Sequence, residues 1–500
     1  MDFHIKERKT REEISMKKIL LSISIIVFGY SLNATAVQAG SDPVADRAVN
    51  LAKQFVKDNN IKNPKINMLL NSLFRNAMPD FVAEWKGLTG IDVRTEPLGY
   101  TDIPSKIMGE AVAKTGAFDM FNDFPYTQPD AAGAQVIRPL DDFAAKGKPD
   151  FSGIPGAFLA QQRYNGKLYS MVLDGDHIML VLRKDIVENP KARAAFKAKT
   201  GKDLGCPANM ADWEEQAKFF HTKAGQTRWG IKFEKPLYGA MAYRSVNFSH
   251  RHFPAYFGGL LFDKDMKPRI STKQGIKAIK AFASIVKYMP EDIQGWGTPQ
   301  IYPFWGSGQA YSVMSFPSIF GYANANPKST VKGKQIPCVI PATTAPDGPP
   351  VRRAAEAAGT GYMVNAHGKN PELAYYFIQW LTSPSVGSRA IAHPKGFWDP
   401  YRTQNIGHPG ILKKFGPEFL KATMENAKYT TSLLYIEGHY EFMKVLDNNL
   451  ADVMNNNLTA EQAAAKIEKG WNRVTEDIGR DNQIEVWRKG VNDGLYVDKF

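Results

Sequence analysis

The residues able to do chemistry are concentrated in a few short stretches. Asp174 and Asp176 flank Gly175 in the run LDGDH. Two carboxylates could serve as the acid and base of a glycosidase, but that mechanism fixes their separation at roughly 5 to 9.5 Å across the sugar. Neighbours on one short segment do not set that distance by themselves, so a hinge or ligand hydrogen bonding is the favoured reading. His250 and His252 are two residues apart. Both imidazoles share a face only on a strand, and no third ligand is evident, so polar lining is favoured and no metal is expected. No GxSxG, HExxH or GxxxxGK[ST] motif occurs. Gly306-Ser307-Gly308 is followed by Gln309 instead of a phosphate-loop lysine and reads as a helix entry. Two stretches, Asn122–Tyr126 (NDFPY) and Gly396–Arg402 (GFWDPYR), interleave rings with polar groups. On loops, that mixture suits a binding rim better than a core.

The elements around these residues alternate. Lys65–Ser72 reads as a strand, Phe74–Gly87 as a helix, Ile91–Glu96 as a strand, Asp102–Lys114 as a helix and Phe118–Asn122 as a third strand. Strands and helices at this spacing imply βαβ units and a mostly parallel sheet. Ligands bind such sheets beyond the carboxyl ends of the strands, here Asn71-Ser72 and Asn122–Tyr126. In Tyr164–Asp185, Asn165-Gly166 is a turn signal, Leu168–Leu173 an apolar β-prone run, and Ile178–Arg183 a second one after the Asp174-Gly175-Asp176 break. The stretch is either a hairpin with a polar turn or a crossover between domains. Further on, Trp229–Phe233, Tyr311–Phe316 and Tyr362–Asn365 are expected strands. Ser271–Tyr288 and Pro371–Thr382 are amphipathic helices, and Gly416–Asp493 is mostly helical.

Five hundred residues exceed what one core usually supports, so two domains are expected. Apolar content of 43% with 23% charged residues is ordinary globular composition. Met16-Lys17-Lys18, the apolar Ile19–Leu32 and the small residues before Gly40 have the form of a secretory signal peptide, cleaved near Ala39. With no cysteine before Cys206 there is no lipid anchor at that site, which favours a periplasm. No later run approaches the ~20 apolar residues of a membrane span. The net charge of +13 is read as a solvated basic surface; export argues against a nucleic-acid partner. Cys206 and Cys338 either pair in the oxidising compartment or stay as two buried thiols.

Six stretches, in order, resemble the periplasmic solute-binding proteins of ABC importers, in the sugar-binding group that includes maltose-binding protein. They are FVAEWKGLTGIDVRTEPLGY, GAFDMFNDFPYTQPDAAGAQVIRPLDDF, YNGKLYSMVLDGDHIMLVLRKD, FGGLLFD, GSGQAYSVMSF and KNPELAYYFIQWLTSPS. The resemblance implies an α/β, two-lobed periplasmic-binding-protein fold of type II. Lobe 1 would take residues 40–174 and 361–395, and lobe 2 residues 177–360 and 396–500. It makes Tyr164–Asp185 a crossover, with Gly175, Gly359, Gly361 and Gly396 as joints. The implied function is binding of a carbohydrate or polyol by hinge closure and delivery to a membrane permease. The implied protein is a monomer without catalysis or cofactor. Lobe 1 would offer Asn71, Asp123, Phe124 and Tyr126. The crossover would offer Asp174, Asp176 and His177, and lobe 2 Asn247, His250, Phe316, Tyr322, Trp398 and Arg402. His and Arg within Tyr238–Tyr256, where sugar binders more often carry Trp, leave a small acid, a cation or a metal chelate open as ligand. The rival class is a carbohydrate-active enzyme using Asp174 or Asp176.

Overall fold

The run KINMLLN buries nearly every side chain, as a strand covered on both faces must. This strand, Lys65–Asn71, lies parallel to Asp92–Leu98 in the register Lys65↔Asp92 through Asn71↔Leu98, and parallel to Met120–Asp123 on its other side. The crossover helix Met78–Thr89 buries Met78, Phe81 and Trp85 and ends at Gly90, whose φ of 75° a side chain would strain. The second crossover is the helix Ile103–Ala113. Gly361–Val364 then joins antiparallel to Met120–Asp123, and Ser170–Val172 pairs with Gly361–Val364, completing a five-stranded sheet. The computed structural model describes residues 42–343, 349–356 and 359–500. The expected leader lies outside the described residues, as do residues 344–348 and 357–358.

A second sheet has three strands. Met179–Arg183 is central, with Ser312–Ser315 and Gln335–Cys338 antiparallel on either side. Ser170–Val172 and Met179–Arg183 thus belong to different sheets, and the acidic stretch between them is a crossover, not a hairpin turn. The hairpin lies earlier: Arg163–Tyr164 pairs with Lys167–Leu168 around Asn165 and Gly166, at φ 50° and 81°. Positive φ at both turn positions is what Asn-Gly supplies.

One other expectation changes. The strand expected over Trp229–Phe233 is only a two-residue rung, because Trp229 and Gly230 at φ 54° and 77° turn the chain between Thr227–Arg228 and Ile231–Lys232. The segment carrying His250 and His252 is the helix Ser249–Phe257, buried throughout. Cys206 and Cys338 form a disulfide, tying the segment before helix Met210–Phe220 to the strand Gln335–Cys338. The C-terminal helices His439–Met454, Ala460–Ile478 and Arg480–Asn492 pack Trp471 and Trp487 against Phe262. Among the described residues no helix is long and apolar enough to cross a membrane.

Candidate ligand site between the two sheets

Several chain segments end at one place. The first sheet's strands deliver Asn71–Phe74 and Asp123-Phe124 from their carboxyl ends, and the crossover delivers Asp174 and Asp176. From the other side come Arg251 on the helix Ser249–Phe257, Phe316 and Ser318 after the strand Ser312–Ser315, and Phe397 from the second aromatic loop. Around a cavity of about 30 Å³ stand Leu73, Phe74, Phe124, both crossover aspartates and the four residues from the other side, with Tyr100, Phe248, Thr298, Tyr302 and Thr360 completing the wall. That is room for one or two waters, so admitting a sugar requires the walls to part.

Arg251 is the central cation. Its Nη1 lies 3.1 and 3.3 Å from the two carboxylate oxygens of Glu356, and Nη2 donates to the Tyr126 hydroxyl. Its guanidinium stacks 4.4 Å from the Phe124 ring centroid and 4.5 Å from that of Phe248. Burial raises the Glu356 carboxyl to about 7 even though Arg251 opposes the shift. Burial likewise raises Asp123 to about 7, and neither of its oxygens makes a hydrogen bond of good geometry.

Asp174, Asp176 and Asp399 place carboxylate oxygens within 4.8 Å of one another. Asp174 accepts from the Asp399 amide at 2.8 Å, and Asp399 accepts from the Ser318 amide at 2.9 Å. Burial first, then mutual repulsion, pushes all three carboxyls well above the usual range. Behind them Lys414 donates to the carbonyls of Ile391, His393 and Gly396 at 2.8, 3.2 and 2.8 Å; burial lowers it to about 8. The carbonyl of Asp174 accepts from the Gly359 amide at 3.2 Å, so the crossover and residue 359 run side by side. The glycines here serve close approach more than dihedral freedom. A Cβ on Gly175 would lie 2.9 Å from the Asp399 carbonyl oxygen, and one on Gly359 2.9 Å from Asp176 Oδ2.

Buried polar atoms without a partner gather around this cavity: Asn71 Nδ2, both Asp123 oxygens, Arg251 Nε, Ser315 Oγ, Thr360 Oγ1 and Trp398 Nε1. Buried polar groups are normally satisfied, so each of these atoms calls for a partner such as water or a bound solute. Acceptors, donors and ring faces together match a polyhydroxylated solute.

A family model described as "Bacterial extracellular solute-binding protein" matches residues 80–405. The chain belongs to this family. A probable amino-acid ABC transporter periplasmic-binding protein of Sinorhizobium fredii is 23% identical over 326 residues, covering 63% of this chain and 67% of that protein. Among solved structures, the GacH receptor of Streptomyces glaucescens, studied unliganded and with acarbose, superposes with a TM-score of 0.67 at 16% identity, covering 83% of this chain and 100% of that one. An Agrobacterium radiobacter ABC transporter solute-binding protein in complex with ribitol gives 0.67 at 18% identity, covering 83% and 99%. The fold is accordingly that of the two-lobed, type II solute-binding proteins.

Within this solute-binding protein the expected contact residues separate into three groups. Phe124, Asp174, Asp176 and Phe316 line the cavity. Asn71, Asp123, Tyr126 and Trp398 sit just behind it, Trp398 stacked on Phe74 at 4.7 Å. The others serve elsewhere. His177 has both ring nitrogens occupied, by the Gly175 carbonyl at 2.8 Å and Thr423 Oγ1 at 2.9 Å, so it braces the crossover. Arg402 is spent on the carbonyls of Thr382, Asp150 and Ser152. Asn247 and His250 border a separate groove of about 330 Å³, where His250 Nδ1 lies 2.7 Å from Asp447 Oδ2. Tyr322 supports the wall from behind, against the rings of Tyr302 and Phe397. On a helix His250 and His252 point about 200° apart, which removes a shared metal site.

The sequence reading missed Arg251, Glu356, Tyr302, Thr360 and Asp399. Asp399 lies inside the GFWDPYR stretch that was singled out, and Arg251 lies between the two histidines. Glu356 lies just before and Thr360 just after Gly359 with no spacing signal, because the partner of Glu356 is 105 residues away.

Proposed function

We propose that this protein is the periplasmic substrate-binding component of an ABC transporter, taking a carbohydrate or polyol between two lobes and delivering it to an inner-membrane permease. The observation that carries this reading is the cavity itself. Strand ends of one sheet and a helix and loops beside the other converge on it, and ring faces alternate with buried carboxyl groups, as flat sugar rings with polar edges require. Two relatives of the same fold are solved with ribitol and with D-mannitol, which supports a polyol-sized solute. The lobes would comprise residues 40–174 with 361–395, and 177–360 with 396–500, consistent with the first sheet using strands up to Val172 and Gly361–Val364 and the second using those between Met179 and Cys338. The mature protein would start near Gly40 and act as a monomer, with no catalytic step.

Thermal unfolding of the mature protein against sugars, polyols, amino acids and small acids tests this. A solute bound only by the folded state raises the midpoint with concentration. A saturable rise with a sugar or polyol, with no product after prolonged incubation, is the expected result. A rise with amino acids or acids alone would remove the carbohydrate assignment, and consumption of a glycoside would establish the enzyme.

A further inference from the structure

We propose that the solute carries a protonated amine beside its hydroxyls, as an amino sugar or amino polyol does, and that the ammonium group sits against Asp174, Asp176 and Asp399. This rests on the carbohydrate reading above and narrows it.

The charges around the cavity do not balance in pairs. Arg251 is matched by Glu356, its Nη1 within 3.3 Å of both carboxylate oxygens, and gives its other nitrogen to Tyr126. Lys414 points its ammonium at three backbone carbonyls. Lys414 keeps its charge and opposes the shift of Asp399 from a distance, but among the described residues neither cation forms an ion pair with the three carboxyl groups, whose oxygens converge within 4.8 Å at positions no more than 8% exposed. Sugar hydroxyls can donate to these groups but bring no counter-charge that would let them ionise together. A single ammonium with three donors answers three acceptors and the charge together.

The surroundings favour an organic cation over a metal ion. Ca²⁺ takes six to eight oxygen ligands. Here only three carboxyl groups converge among the described residues, and the rest of the wall is largely rings, including Phe124, Tyr302 and Phe316. Aromatic faces attract an organic ammonium group. A separate observation marks the same spot as a binding site: Thr360 Oγ1, on a residue 1% exposed, lines the cavity and has no hydrogen-bond partner. A hydroxyl beside the amine would supply one. The carboxyl groups are held toward their protonated forms by burial and mutual repulsion, the condition an arriving ammonium would relieve.

Calorimetric titration of the mature protein with matched pairs is the test: glucose and glucosamine, galactose and galactosamine, mannose and mannosamine, D-glucitol and 1-amino-1-deoxy-D-glucitol. In at least one pair the amine is expected to bind tenfold or more tighter at pH 7, and Asp176→Asn should narrow that gap to under threefold. Wild-type pairs decide the matter alone should that variant fold poorly. Neutral members binding as well as the amines in every pair would overturn the proposal and leave the carbohydrate function standing. Saturable binding of CaCl2 that Asp176→Asn abolishes would overturn it in favour of a metal site. Silence from every pair, with amino acids or acids binding instead, would overturn both readings.

Discussion

Arg251 and Glu356 show what burial does to a single pair. Both are nearly or fully buried, and removing one partner from such a pair costs about 3–5 kcal/mol because the other charge is stranded. Glu356 already titrates near 7 with the arginine beside it, so the stranded carboxyl can take up a proton instead. The Arg251→Met penalty should therefore be small at pH 5.5, where Glu356 is neutral, and full at pH 8, where it must stay charged or bind a proton against the gradient. Urea unfolding at the two pH values checks this, and adding Glu356→Gln should recover much of the loss at pH 8. Asp123 gives a related expectation. Its folded value of about 7 lies above the ordinary 3.8, so the folded state holds a proton that the unfolded chain releases. Its stabilising contribution is complete below pH 4 and is lost as pH rises through 7. The loss is about 4 kcal/mol. Asp123→Asn should gain stability relative to wild type across that window; a difference that stays constant from pH 4 to 8 would contradict it.

At the scale of elements, the crossover is the most constrained piece. Gly175 packs against the carbonyls of Asp399 and Pro400, and both are backbone atoms that cannot swing aside. Gly175→Ala should cost about 1–3 kcal/mol, as overpacking does, and weaken solute binding by displacing Asp174 and Asp176. Retained stability and affinity would show that the joint yields. The disulfide is a second constraint: it closes 132 residues, and Cys206→Ser with Cys338→Ser should lower stability by about 2–5 kcal/mol in chemical denaturation. These elements also show what the sequence carries. The βαβ opening, the helix over Pro371–Leu381 and the C-terminal helices were legible because local periodicity specifies them. Trp229–Phe233 was not, because a β-prone aromatic run can equally hold a tight turn. The cavity was legible as strand ends and flagged loops, which placed Phe124, Asp174, Asp176 and Phe316 on its wall. Its charges were less so. Arg402 and His177 look like ligand contacts by type, yet their hydrogen bonds go to partners that only the folded chain brings near. Arg251 and Glu356 gain their importance from each other across 105 residues, and Asp399 gains its own from Asp174 across 225.

The whole molecule holds its walls together by contacts between elements assigned to opposite lobes. Arg251 donates to the Tyr126 hydroxyl, and Phe248 meets Tyr100 edge-on at 5.4 Å. An aromatic pair contributes about 0.5–1.5 kcal/mol beyond burial, and a charge-assisted hydrogen bond about 1.5–3 kcal/mol. With a cavity of about 30 Å³, a solute can enter only an opened form, so these contacts set the balance between open and closed states. Tyr126→Phe with Phe248→Ala should shift that balance toward the open form. Small-angle scattering should show a larger radius of gyration for the unliganded variant than for wild type, and the two should converge at saturating solute. Apparent affinity should rise by the factor by which the open fraction rises, because binding scales with the competent population. Equal radii without solute, with affinity lost instead, would mean that Tyr126 and Phe248 act on the solute directly and that closure is held elsewhere.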